Sequence, residues 1–167
     1  MSYQPSIWPG DKTELYDLLT KQTASLIESC PLPLPSLANV AALLWDALSD
    51  INWAGFYLAK GETLYLGPFQ GKTACTVIPF GRGVCGTAAA TRQIQVVPDV
   101  HQFPGHIACD SASQSEIVLP LMVDGEMIGV LDIDSPNLKR FDDVDSHGLA
   151  GLCKVLIEQV DWSHGLL

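Results

Sequence analysis

The chain has 167 residues, of which 47% are apolar, and its 9 Lys plus Arg stand against 19 Asp plus Glu for a formal net charge of −10. That length suits one compact domain spanning residues 1–167, and so apolar a composition excludes a disordered chain. So acidic a surface repels phosphate backbones and anionic headgroups, and no apolar run reaches the ~18 residues of a membrane-spanning helix, which excludes nucleic acid and membranes as partners.

Pro9, Gly10, Asp11 and Glu14 interrupt the N-terminal segment where a secretion signal would need a basic flank and an unbroken apolar stretch. Asp11 and Glu14 instead form a capping box for a helix with Leu15, Leu18, Leu19, Leu26 and Ile27 on its apolar face. Pro31, Pro33 and Pro35 are expected to end it, and Ser36 to start a second helix reaching Leu48. The period then changes to two. Asn52 to Lys60 and Thr63 to Phe69 read as strands joined by Gly61-Glu62, and Ala74 to Ile78 as a third. Thr87 to Thr91 is a short helix and Ile94 to Val97 a short strand, and Pro98 to Ser115 is a long polar loop of the kind that usually carries function. Ile117 to Val123 and Glu126 to Asp134 flank the turn Asp124-Gly125, and Asp142 caps a last helix bearing Leu149, Leu152, Cys153, Leu156 and Val160. Terminal helices around about six strands predict an α+β fold with a mostly antiparallel sheet.

The 5 cysteines form no CxxC pair, and in a reducing cytoplasm they read as free thiols rather than a disulfide framework. Cys153 falls on a helical apolar face, and nothing near Cys30 would activate it. Cys75, Cys85 and Cys109 are separated by spacings that match no common zinc motif. Cys85 and Cys109 lie in glycine-bounded stretches that promise access. These three could be inert, could form an accidental metal site with a nearby His, or could form a set in which a sulfenic acid on one is condensed by another to a disulfide. Spacing alone leaves these readings open.

Asp132 and Asp134 sit two apart on a strand and share a face. An ideal hairpin about Asp124-Gly125 opposes Ile117 to Asp132 and turns Glu116 away, so uniting the three carboxylates requires either a bulge or Glu116 lying before regular pairing begins. The residues are either solvated strand ends or a pocket for a cation, such as a ligand's ammonium, and no EF-hand spacing favours calcium. Crowding could also keep one carboxyl protonated as a proton donor. Trp53 and Tyr57, on one face of the first strand, are either core packing or apolar walls of that pocket.

Four segments taken in order resemble one family closely: Gly81-Arg82-Gly83-Val84-Cys85-Gly86-Thr87-Ala88, Gly105-His106-Ile107-Ala108-Cys109-Asp110, Ser115-Glu116-Ile117-Val118-Leu119-Pro120-Leu121 and Ile128-Gly129-Val130-Leu131-Asp132-Ile133-Asp134-Ser135. They are similar to the free methionine-(R)-sulfoxide reductases, which are built on the GAF domain, and Asn52-Trp53-Ala54-Gly55-Phe56-Tyr57 fits as well. The three-cysteine set separates this family from GAF modules that only bind a ligand, one alternative reading; a thiol redox sensor, the other, would form the disulfide with peroxide but without turnover.

The resemblance implies a single GAF domain with a six-stranded sheet, terminal helices on one face and a loop-covered pocket on the other. It implies Cys109 as nucleophile, Cys75 as main resolving cysteine and Cys85 as an additional redox partner. Glu116, Asp132 and Asp134 become substrate-site carboxylates, with Trp53 and Tyr57 beside them. It further implies no bound cofactor or metal, recycling by thioredoxin with NADPH through thioredoxin reductase, a cytoplasmic setting and a homodimer.

Overall fold

The computed structural model describes residues 7–105 and 110–165. In chain order come α1 (Lys12–Ser29), α2 (Pro33–Ala47), β1 (Trp53–Lys60), β2 (Thr63–Gly71), β3 (Val77–Pro79), α3 (Gly83–Thr91), β4 (Gln95–Val97), β5 (Ser115–Val123), β6 (Glu126–Ser135) and α4 (Asp143–Gln159). Short 3-10 turns lie at Val100–Gln102 and Trp162–His164. None of the described helices is long and apolar enough to cross a membrane.

The helix starts follow their capping chemistry. Asp11 accepts the Glu14 amide at 3.0 Å. Asp142 accepts the amides of Val144 and Asp145 while the Asp145 carboxylate takes the Asp142 amide, closing a reciprocal box. The second helix begins at Pro33, three residues before the expected Ser36. Proline at a first helical position loses only an amide that has no intrahelical partner, so Pro33 and Pro35 open this helix rather than delay it.

All five strand pairings are antiparallel, and the sheet runs β3-β2-β1-β6-β5-β4. Alternation along β1 sends Ala54, Phe56 and Leu58 to a core shared with α1, α2 and α4, where Leu19, Leu44 and Leu152 are fully buried. Trp53 and Tyr57 face the other way, into a smaller core with Ile78, Val118, Val130 and α3. The terminal helices therefore cover one face, and the second face is left to α3 and the connections around it.

The β5–β6 hairpin departs from the ideal register at one residue. Val123 opposes Glu126 and Met122 opposes Met127, but Leu121 opposes Gly129, leaving Ile128 as an extra residue in β6. From there Val118 opposes Asp132 and Glu116 opposes Asp134. A side chain at Gly129 would run into the carbonyl oxygen of Tyr57, so the position next to the bulge needs glycine for β1 and β6 to approach.

Candidate active site

On the face away from the terminal helices lies a pocket of about 540 Å³, open mouth included, lined by β1, β5, β6, the start of α3 and the connections holding Ala74 and Asp110. The Ile128 bulge brings the three carboxylates to it. Glu116 and Asp132 are buried at 6% and 5% exposure, Asp134 is half-buried, and all three line the cavity. An unbulged hairpin would have sent Glu116 into the helical core.

Trp53 and Tyr57 line the same pocket and do more than fill it. The Trp53 indole stacks on Phe69 at 5.2 Å and on Tyr57 at 5.8 Å between ring centres. It lies across Gly55, where a Cβ would collide with Phe69 and press on the indole. Trp53 Nε1 donates to the Lys72 carbonyl at 3.1 Å, and the Tyr57 hydroxyl donates to the Cys75 carbonyl at 3.0 Å. Two strand aromatics thus hold the β2–β3 connection by its backbone. This corrects the expected strand from Ala74 to Ile78: β3 starts at Val77, and Cys75 belongs to the connection, its carbonyl taken by a side chain.

The structure also corrects the setting of Cys85. The expected helix from Thr87 begins at Gly83, which places Cys85 in its first turn at 5% exposure rather than in an accessible glycine loop. Its Sγ lies 3.8 Å from Glu116 Oε1. Cys75 is disulfide-bonded, whereas Cys30, Cys85 and Cys153 are free. Cys109 and His106 lie outside the described residues.

Burial governs the electrostatics. It pushes the Glu116 carboxyl well above its ordinary range, reinforced by the charges of Asp132 and Asp134. It raises Asp132 from 3.8 to about 6, against hydrogen bonds from Cys85 and Glu116 that favour the ionised form. It raises Asp134 too, helped by Asp132 and Asp110 and opposed by a hydrogen bond from Ser113. The Cys85 thiol is held well above its usual value by burial and then by the neighbouring carboxylates. Among the described residues no Lys or Arg forms an ion pair with Glu116, Asp132 or Asp134. Asp132 Oδ1 is buried with no hydrogen-bond partner among them.

Sequence reasoning missed a polar support beside these carboxylates. Asn52 Nδ2 donates to Asp110 Oδ2 at 3.2 Å and to Ser113 Oγ at 3.0 Å. Asp110 also accepts the Ala112 amide at 2.9 Å and pairs with Lys72 at 3.5 Å. That amide, the Asn52 amide and the Lys72 charge hold the Asp110 carboxyl below its ordinary value. The available signal was local: an Asp two residues before an amide it can cap, and an Asn immediately before an aromatic strand.

A family model described as GAF domain matches residues 34–158. The free methionine-R-sulfoxide reductase of Escherichia coli (strain K12) is 58% identical over 142 residues, covering 85% of this chain and 86% of that protein. The free methionine-R-sulfoxide reductase of Saccharomyces cerevisiae is 51% identical over 129 residues, 72% of each. Among solved structures, the free methionine-R-sulfoxide reductase of Neisseria meningitidis in complex with its substrate superposes with a TM-score of 0.91 at 44% identity, covering 98% of both chains.

Proposed function

The chain belongs to the free methionine-(R)-sulfoxide reductases, oxidoreductases built on the GAF domain, and we infer from its acidic pocket that it reduces free L-methionine-(R)-sulfoxide to L-methionine. The observation that carries this reading is the trio Glu116, Asp132 and Asp134, converging on one cavity without an ion-pair partner among the described residues. Clustered buried carboxylates need a cation. A free amino acid brings an α-ammonium, whereas a methionine sulfoxide residue inside a peptide brings a neutral amide. Seating the amide leaves charge unmatched at a cost of several kcal/mol, which selects the free substrate.

In the proposed reaction the Cys109 thiolate attacks the sulfoxide sulfur while a protonated pocket carboxyl delivers its proton to the departing oxygen. Burial raises all three carboxyls, Asp132 to about 6, which favours a proton retained within the trio. The oxygen then shifts from the substrate sulfur to the Cys109 sulfur as the bond between the two sulfurs breaks, leaving Cys109 as a sulfenic acid and releasing methionine. The Cys75 thiol then displaces that oxygen as water, forming a Cys75–Cys109 disulfide, and Cys85 serves as a further redox partner. A dithiol such as thioredoxin, recharged by NADPH through its reductase, restores both thiols by exchange. The disulfide-bonded state of Cys75 beside free Cys85 supports the choice of Cys75 as resolving residue.

The test is methionine release from free L-methionine-(R)-sulfoxide, with the S epimer and an N-acetylated amide run alongside. Turnover of the free R epimer, abolished in Cys109→Ser, is expected. Equal turnover of the blocked compound would refute the role given to the acidic pocket, and full activity of Cys109→Ser would refute the nucleophile.

A further inference from the structure

Cys85 has a second chemistry available. Its Sγ, a carboxylate oxygen of Glu116 and one of Asp132 all lie within 4.8 Å of one another, each from a buried side chain. They come from three elements, the first turn of α3, the start of β5 and the end of β6, and converge on one point of the pocket. Asp132 Oδ1 is buried and has no hydrogen-bond partner among the described residues, so an acceptor in this cluster is left unsatisfied. Tetrahedral zinc, with sulfur at ~2.3 Å and oxygens at ~2.0–2.2 Å, holds its ligand atoms roughly 3.3–3.7 Å apart. The 3.8 Å between Cys85 Sγ and Glu116 Oε1 is already close to such an edge.

We propose that Cys85, Glu116 and Asp132 form an inhibitory site for a thiophilic divalent cation, Zn²⁺ being the representative, which excludes the free amino-acid substrate. The ligand set is one thiolate and two carboxylates, with a fourth position facing the cavity. Thiolate favours zinc, cadmium and cobalt over magnesium and calcium, which want oxygen alone. The metal takes the two carboxylates that would otherwise receive an ammonium, and binding releases the Cys85 proton. Because Cys85 is free while Cys75 is disulfide-bonded, the site persists in the oxidised protein.

The full chain is oxidised with diamide until Cys75 no longer reacts with a thiol reagent, freed of small thiols, and titrated with ZnCl₂ and with CoCl₂. One equivalent of zinc is expected, with affinity at least tenfold weaker in Cys85→Ser and in Asp132→Asn and unchanged in Cys153→Ser. Cobalt should give a near-ultraviolet thiolate-to-metal band that Cys85→Ser removes, and magnesium should not compete. Circular dichroism of each variant separates lost binding from lost folding, with Cys85→Ala as the fallback. Zinc affinity unmoved by Cys85→Ser, a cobalt complex without the thiolate band, or no binding at all would overturn the site. Competition with free methionine sulfoxide, read as methionine formed in one turnover by pre-reduced enzyme, rests on the proposed activity. The metal titrations contain no substrate and stand or fall without it.

Discussion

Glu116 opposes Asp134 across the β5–β6 pair, and Asp132 lies one step along the same face, so the three share one demand for positive charge. Glu116→Gln or Asp134→Asn should therefore raise KM for the free sulfoxide by about tenfold or more while the thiols remain reactive, checked by steady-state kinetics against thiol titration. Asp132 gives a stability signature as well. Its carboxyl moves from 3.8 to about 6 in the folded protein, so the folded state keeps a proton that the unfolded chain has released. The stabilisation from that proton is complete below pH 4 and is lost as pH rises through about 6, amounting to at most about 3 kcal/mol. Glu116 and Asp134, also raised, act in the same direction. Thermal melts of ligand-free protein should fall from pH 4.5 to pH 7, and Asp132→Asn should flatten that fall.

At the scale of elements, α1 and α4 are joined by a buried acid. Asp145 is fully buried, accepts from the Tyr16 hydroxyl at 2.8 Å, and pairs with Lys12 at 2.6 Å and Arg140 at 3.2 Å. Removing a carboxylate from such a group strands its partners, so Asp145→Ala should cost about 3–5 kcal/mol in urea unfolding with KM unchanged, since the pocket lies across the sheet. Most elements were legible from the chain because their signals are local: Asp11 and Asp142 as caps, Asp124-Gly125 as a turn, alternation along β1. What escaped depended on distant atoms. The Ile128 bulge is tied to the close approach of Gly129 to the Tyr57 carbonyl, and the connection at Cys75 is set by the Tyr57 hydroxyl. Cys85 read as a loop thiol because Gly83 and Gly86 suggested irregular backbone, whereas a helix starts there and packs against the sheet. The carboxylate trio was recognisable as residues, but its convergence was contingent on a bulge that hydrophobic patterning alone does not place.

Taken whole, the molecule divides its labour between the two faces of one sheet. Three helices seal one face into the larger core, and the other carries the pocket and the held connections. The net charge of −10 acts on partners according to their own charge. Free methionine sulfoxide is a zwitterion and is not steered over long distances, so its kcat/KM should stay within about twofold as salt is raised to about 0.15 M. An acidic protein reductant is repelled until salt screens it, and its own kcat/KM should rise severalfold over the same range. The hairpin adds a consequence of arithmetic. From the turn to the bulge the two arms count in step, and beyond it one arm is permanently ahead by one, so parity decides which face the acids occupy. Paired additions at the tip, one on each arm, leave that parity intact and the pocket unaltered. A single deletion in one arm exchanges inside for outside along the rest of the strand. Viable descendants of this chain must therefore change the hairpin's length in matched steps, which makes its odd count a heritable constraint on how the protein can vary.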